Sequence, residues 1–188
     1  MTAIDLVRLD PSGADRDALV AFLSTEEFPF HVRRTISTDD AASAVDAGSF
    51  RDDDHDTSWL VHAEFGRIGI VRLEDLQDPV PLFDLRIAGR FRGRGLGVPA
   101  LRAVTDHVFR TRPAVTRFEG QTREDNAAMR RVFVRSGWVK EAHYREAWPV
   151  EGAAPVASVA YGILRRDWAT GSLTPVPWDD DVAAAVGG

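Results

Sequence analysis

The sequence contains no cysteine, so disulfides, thiolate zinc sites and cysteine nucleophiles are excluded and the fold rests on packing alone. Lysine is nearly absent: Lys140 is the only one among 23 basic residues, a bias we read as codon usage in a GC-rich genome rather than as mechanism. No apolar run approaches the roughly 20 residues needed to span a bilayer. The opening MTAIDLVRLD is charged early and lacks an apolar run followed by a small-residue cleavage site. These absences lead to the expectation of a cytoplasmic protein with no membrane partner. Positive charge is also short, 23 basic against 29 acidic residues for a formal net charge of -6. That balance speaks against general affinity for nucleic acid and mildly favours cationic partners such as amines.

What is present is 188 residues, 44% of them hydrophobic. This is enough for one substantial core and too little for two ordinary domains. We expect one domain over residues 1–168 and a tail over 169–188. The tail is rich in Pro, Asp, Ala and Gly, with Trp178 as its one large apolar anchor and means of docking.

Alternation in AIDLVRL predicts an opening strand, and Ser12 is placed to cap a helix carrying Leu19, Phe22 and Leu23 on one face. FPFH, from Phe28 to His31, breaks that helix. Thr38 then precedes two aspartates and an alanine-rich run ending at Gly48, a short capped helix, followed by the acidic loop RDDDHD. Residues 58–76 read as two strands turned at Phe65-Gly66-Arg67, and PLFDLRI as a third. A helix over 98–110, a strand TRFEGQT and a helix opening at Asp125 or Asn126 come next. The last of these carries Met129, Val132, Phe133 and Ser136 on one face and ends at Gly137. Two strands, WVKEAHYREAW and ASVAYGILRRDW, close the pattern around the loop VEGAAP.

The stretch RFRGRGLGVPAL joins a glycine-arginine loop directly to a helix. Gly93, Gly95 and Gly97 let a ligand approach the backbone closely, and the free N–H groups of a first helical turn favour an anion. A phosphate is the natural guest, with Arg90, Arg92 and Arg94 in support; the alternative is a solvated basic loop. A Walker pattern fails, because no Gly-Lys-Ser/Thr follows. Gly95, Gly97 and Ala100 fit a dinucleotide fingerprint, but two consecutive closing strands and an upstream hairpin contradict a doubly wound parallel sheet. Arg92, Gly95 and Gly97 meet a third pattern, R-x-x-G-x-G.

On that pattern LRIAGRFRGRGLGVPAL resembles the acetyl-CoA pyrophosphate loop of the GCN5-related N-acetyltransferases, the GNAT family. NAAMRRVFVRSGW resembles their second signature, an asparagine (Asn126) followed eleven residues on by a glycine and an aromatic (Gly137, Trp138). The likeness covers roughly residues 4–168. It is nearest in style to the ribosomal-protein N-terminal acetyltransferases, through the Asn126 segment and the ending Tyr161 to Trp168.

The resemblance implies an α+β single domain: a central mixed, mostly antiparallel sheet of about seven strands with helices on both faces and one splayed strand pair. It implies acetyl-CoA as co-substrate and no metal. Leu85, Arg86 and Ile87 would line the pantetheine arm. The N–H groups of Arg92, Gly93, Arg94, Gly95, Leu96 and Gly97 would take the diphosphate, with Asn126 contacting the cofactor from the other side. The reaction implied is N-acetylation of a primary amine, a peptide N-terminus or a small-molecule amine such as a polyamine, by direct attack through a tetrahedral intermediate. The backbone N–H near Ile87 would be the oxyanion donor.

The family glutamate five residues before the asparagine is Gln121 here, which cannot accept a proton. Glu119, on the same strand face, is the first candidate base, directly or through water, against a plain solvated carboxylate; His31, His62, Asp84 and His143 are weaker candidates. The usual tyrosine acid is Phe133, leaving water, Tyr144 or Tyr161 to protonate the thiolate. The acceptor would sit over Phe28, Phe30, His31 and the acidic loop at 52–56. A homodimer is an expectation at family level alone. The competing functions are a catalytically silent acyl-CoA-binding module and an RNA-binding Arg-Gly segment; the apolar pattern downstream and the net acidity count against the latter.

Overall fold

The computed structural model describes residues 3–178. Strands β1 (Ile4–Arg8), β2 (Asp56–His62), β3 (Gly66–Glu74) and β4 (Leu82–Ile87) form one antiparallel sheet in that order. Strands β5 (Arg117–Arg123), β6 (Val139–Val150) and β7 (Ala153–Leu164) form another in the order β5-β7-β6. Helices α1 (Arg16–Thr25) and α2 (Thr38–Asp46) lie between β1 and β2, α3 (Gly97–Thr111) between β4 and β5, α4 (Ala127–Arg135) between β5 and β6, and α5 (Arg165–Thr170) follows β7. This is the expected α+β arrangement.

The period-2 pattern of β2 sends neighbouring side chains to opposite faces. Trp59 packs with Leu19 and Leu23 of α1 and Val45 of α2, while Leu60 joins Leu101, Val104 and Val108 of α3. Each face of the first sheet therefore buries one helical layer. A bulge opposite Leu60 and Val61 leaves Ile68 unpaired in the β2–β3 ladder, and Ile68 is fully buried in the α3-side core.

The two sheets adjoin along β4 and β5. Only one backbone hydrogen bond crosses there among the described residues, from the Glu119 N–H to the Pro81 carbonyl at 3.2 Å. An aromatic cluster holds this end together: Phe83 of β4 lies 5.3 Å from Phe118 and 5.7 Å from Trp138, ring centre to ring centre. Phe133 stacks on Tyr161 at 4.5 Å. Gly120 makes the cluster possible, because a Cβ there would stand 2.5 Å from Phe83 and 2.8 Å from Phe133.

Several local expectations are corrected. Ser12 caps nothing; α1 starts after Asp15, whose carboxylate instead accepts from the Asp10 N–H, the Trp59 indole and Arg67. The α2 cap is Ser37 rather than Thr38, its hydroxyl accepting from the Asp40 N–H at 3.1 Å. Most of VEGAAP is strand, leaving a turn at Glu151-Gly152 with Gly152 at φ +71°. RRDW is helix α5, because the Arg165 guanidinium donates to the carbonyls of Phe109, Arg112 and Val115 and closes the end of α3. Trp178 is 61% exposed and is not buried against the described residues, so it is no anchor to them. The chain after α5 is tied instead through Thr174, which donates to the buried Asp167 carboxylate from both its N–H and its hydroxyl. The remainder of the expected tail, 179–188, lies outside the described residues.

Candidate active site

Beyond the Glu119–Pro81 bond, β4 and β5 separate. The Pro81 carbonyl faces β5 and the Ala88 N–H donates to Ile68 of β3. By strand alternation the backbone groups of Phe83, Leu85 and Ile87 therefore point into the gap, away from β3. They have no ladder partners across it. The Ile87 carbonyl is taken by the Arg92 guanidinium, and the remaining edge groups, without ladder partners, form a template for an extended ligand.

The gap opens onto the glycine loop. After a 3-10 turn at Gly89–Phe91, Gly93 and Gly95 adopt φ of +74° and +79°. Glycine is suited to these angles and keeps the loop folded back towards the start of α3. Among the described residues the N–H groups of Gly93, Arg94, Gly95 and Leu96 donate to no protein acceptor. Gly97 and Val98 open α3, where N–H groups lack intrahelical partners, and Pro99 removes the next donor without costing a helix bond. Unpaired donors and the positive end of a 15-residue helix converge on one spot.

Gap and loop share a cleft of about 450 Å³. It brings together Phe28, Phe30, His31, Leu85, Arg86, Ile87, Arg92, Gly93, Gly95, Leu96, Gly97 and Asn126, all singled out from the sequence. It also shows residues the sequence reading missed. Ala128, Arg131 and Arg135 line the same cleft from α4 beside Val132, which the sequence had placed on the helix's apolar face; together they fall at i, i+3, i+4 and i+7, a stripe that helical periodicity could have revealed. Arg131 and Arg135 form no ion pair among the described residues.

Other expectations are revised. The Arg92 N–H is spent on the Gly89 carbonyl, and its guanidinium donates to the carbonyls of Ile87 at 2.7 Å and Glu27 at 2.6 Å. Arg92 therefore ties the glycine loop to the α1–α2 connection. The Arg94 side chain lies over Phe65, outside the cleft. Asn126 caps α4, its Oδ1 accepting from the Met129 N–H at 3.1 Å while its Nδ2 donates to Thr122.

Glu119 lines neither this cleft nor the adjoining one. Its carboxylate accepts from Arg117 at 2.6 Å and from Gln121 at 3.1 Å, and Arg117 also binds Glu141. Tyr144 is half exposed on β6, two strands from the gap, and Tyr161 is buried with its hydroxyl against Arg130. Phe133 is fully buried. The acidic loop is folded on itself, with Asp52 holding His55 and Asp54 bonded to Leu76 and Gln77, and does not reach either cleft.

A second cleft continues from the first on the α1–α2 side of the sheet. The two share Phe30, His31, Leu85, Arg86, Asn126 and Met129, so His31 stands at their junction. FPFH positions it through a tight turn: the His31 N–H donates to the Phe28 carbonyl, the Phe28 N–H to the Arg34 carbonyl, and the Phe28 ring is buried under the imidazole. His31 Nε2 is 3.7 Å from Asp84 Oδ1, while Asp84 Oδ2 accepts two bonds from Arg86 at 2.9 and 2.6 Å. Burial pushes the imidazole down to about 4, against the opposing pull of Asp84. Burial also disfavours the Asp84 charge, but Arg86 and His31 outweigh it and hold the carboxyl below its usual range. In the same cleft Glu74 is paired with Arg72 at 2.5 Å, and among the described residues Arg33 has only the distant Asp40 at 3.9 Å.

A family model described as an acetyltransferase (GNAT) domain matches residues 5–139. Among solved structures, a chimera of the Vibrio cholerae spermidine N-acetyltransferase SpeG and hSSAT superposes with a TM-score of 0.73 at 17% identity, covering 88% of this chain and 98% of that one. The Vibrio cholerae spermidine N-acetyltransferase in complex with CoA and spermine gives 0.71 at 17% identity, with the same coverage. At such identity these structures establish the shared fold. No helix among the described residues is long and apolar enough to cross a membrane. The match over most of the chain, on a sheet split beside a glycine loop, places this protein in the GNAT acetyltransferase family, whose members are acyltransferases.

Proposed function

We propose that the protein transfers an acetyl group from acetyl-CoA to a primary amine by direct attack through a tetrahedral intermediate. The observation that carries this reading is the continuity of the β4–β5 gap with the glycine loop: strand groups of Leu85 and the Ile87 N–H, without ladder partners, lead to the unpaired N–H groups of Gly93 to Leu96. A pantetheine arm suits the first and a diphosphate the second. Arg131 and Arg135 supply positive charge at the cleft's α4 wall. The Ile87 N–H would donate to the thioester oxygen as charge develops on it. Water would protonate the departing thiolate, since Phe133 has no proton to give and neither tyrosine lines a cleft.

The acceptor enters through the second cleft. A polyamine is one candidate, in view of the neighbour solved with CoA and spermine. The charges here favour an acceptor with a single reacting amine, such as a peptide N-terminus. Both carboxylates in the cleft, Glu74 and Asp84, are covered by arginines, and Arg33 adds a further positive charge. A polycation would find no free anion there. The test is thiol release by the full chain with acetyl-CoA and a panel of free-N-terminus peptides, monoamines and spermidine. Release with peptides or monoamines above spermidine is expected. A reversed order returns the acceptor to polyamines, and CoA binding without release from any amine leaves a silent binding module.

A further inference from the structure

We infer that His31 is the general base of the transfer, taking the proton of the attacking amine at Nδ1 while Asp84 faces its other nitrogen. This rests on the transferase reading above and assigns a residue within it. Three observations converge. His31 lies where the donor and acceptor clefts meet, next to the Leu85–Ile87 edge where the thioester would lie. Its ring is held by the Phe28 turn, so the orientation is set before an acceptor arrives. The Asp84 carboxylate stands on the Nε2 side, too far at 3.7 Å for a hydrogen bond but close enough to favour the tautomer with its proton there. Nδ1 is then the acceptor, and it has no hydrogen-bond partner among the described residues.

The other base candidates fail on position. Glu119 is occupied by Arg117 and lies outside both clefts. Gln121 lines the second cleft but cannot accept a proton. His62 is buried in the first sheet, its Nδ1 accepting from the backbone N–H groups of Glu64 and Phe65. His143 pairs with Glu124 on the surface.

The chemistry balances with these groups alone. The amine lone pair forms the C–N bond as the carbonyl π pair moves to oxygen, and the surplus N–H proton passes to Nδ1. Collapse breaks the C–S bond, sulfur leaves with the bonding pair, and the imidazolium returns its proton through solvent to the thiolate. The charged groups facing the ring are Asp84 and Arg86 from β4, Arg72 from β3 and Arg92 from the glycine loop. Burial and the three arginines hold the imidazole neutral throughout the neutral range, which keeps Nδ1 unprotonated while lowering its basicity, so the proton passes to it as the C–N bond forms.

The test uses the full chain, its best amine acceptor, and the His31→Ala and His31→Gln variants. Both variants should lose about 100-fold in kcat, within the range that proton transfer contributes. Affinity for acetyl-CoA should stay within about threefold of wild type. Added imidazole should restore about tenfold of the His31→Ala rate, since a diffusible base partly replaces a missing one. The acidic limb of wild-type kcat/KM should show no inflexion near 6.5. Variants within about threefold of wild type overturn the assignment, as does a loss accompanied by weakened acetyl-CoA binding and no imidazole rescue, which marks a structural role. A wild-type chain that releases thiol with no amine overturns the transferase reading and this one together.

Discussion

The proposed base passes from Glu119 to His31, a weaker candidate in the sequence, for a reason visible at single residues. Both lie near motifs that suggest a base, but Glu119 is bonded to Arg117 and Gln121, whereas His31 keeps one ring nitrogen open. Glu119→Gln should therefore hold kcat within about threefold and cost no more than about 1 kcal/mol, since Arg117 keeps Glu141. A hundredfold loss in steady-state rate would return the base to β5. His31 also makes stability depend on pH. Its folded value, about 4, lies below the unfolded 6.5, so between these values the unfolded chain holds a proton that the folded chain does not. Stability is thus greatest above 6.5 and falls as pH drops towards 4, with a slope of at most about 1.4 kcal/mol per pH unit from this group. His107, also lowered by burial, acts in the same direction, and the contribution of Asp84 is lost only below its unfolded 3.8. Urea unfolding at pH 7 and pH 5 should show the decline, and His31→Gln should reduce it. An unchanged slope in the variant would mean His31 titrates normally in the folded chain.

Among the elements, α3 does most to shape the site, and both of its ends are built for this. Its first turn leaves N–H groups free beside the glycine loop, and at its other end Arg165 from the start of α5 binds the carbonyl of Phe109 in the last turn and those of Arg112 and Val115 just beyond it. Arg165→Ala should destabilise the fold by about 2–3 kcal/mol in chemical denaturation, the scale of lost charged hydrogen bonds to partly buried carbonyls. A change under about 0.5 kcal/mol would show that water caps the helix equally well. The strands and helices themselves were legible in the sequence, because β2, β3, α3 and α4 carry clear periods of two or 3.6. The boundary at Arg165 was not. Nothing local marks RRDW as helix until the carbonyls of residues 109, 112 and 115 are brought beside it from about 50 positions away.

Across the whole molecule, the two sheets are joined at one end by the Glu119–Pro81 bond and the aromatic cluster around Phe83, and separated at the other by the gap. A ligand bonding to both walls of that gap binds the folded state alone. CoA at about 100 times its dissociation constant should add about 2.7 kcal/mol, raising the melting temperature by roughly 5–10 °C for a chain of this size. No shift at saturating CoA would remove the β4–β5 gap as the cofactor path.

The sequence by itself determined the elements, the single-domain size and the glycine loop, because strand and helix periods and the need for glycine at positive φ are written in residues close together along the chain. It also carried the expectation of acetyl-CoA chemistry through two spaced signatures. The tertiary structure alone decided which charges remain free. Glu119, Arg92 and the acidic loop stand beside suggestive motifs, yet each is neutralised or hydrogen-bonded by partners that the fold supplies. His31 gains its place at the junction of two clefts only when β4 brings Asp84 and Arg86 against it, more than 50 residues along the chain. An electrostatic environment is set by distance in space, and sequence spacing does not specify that until the chain has packed.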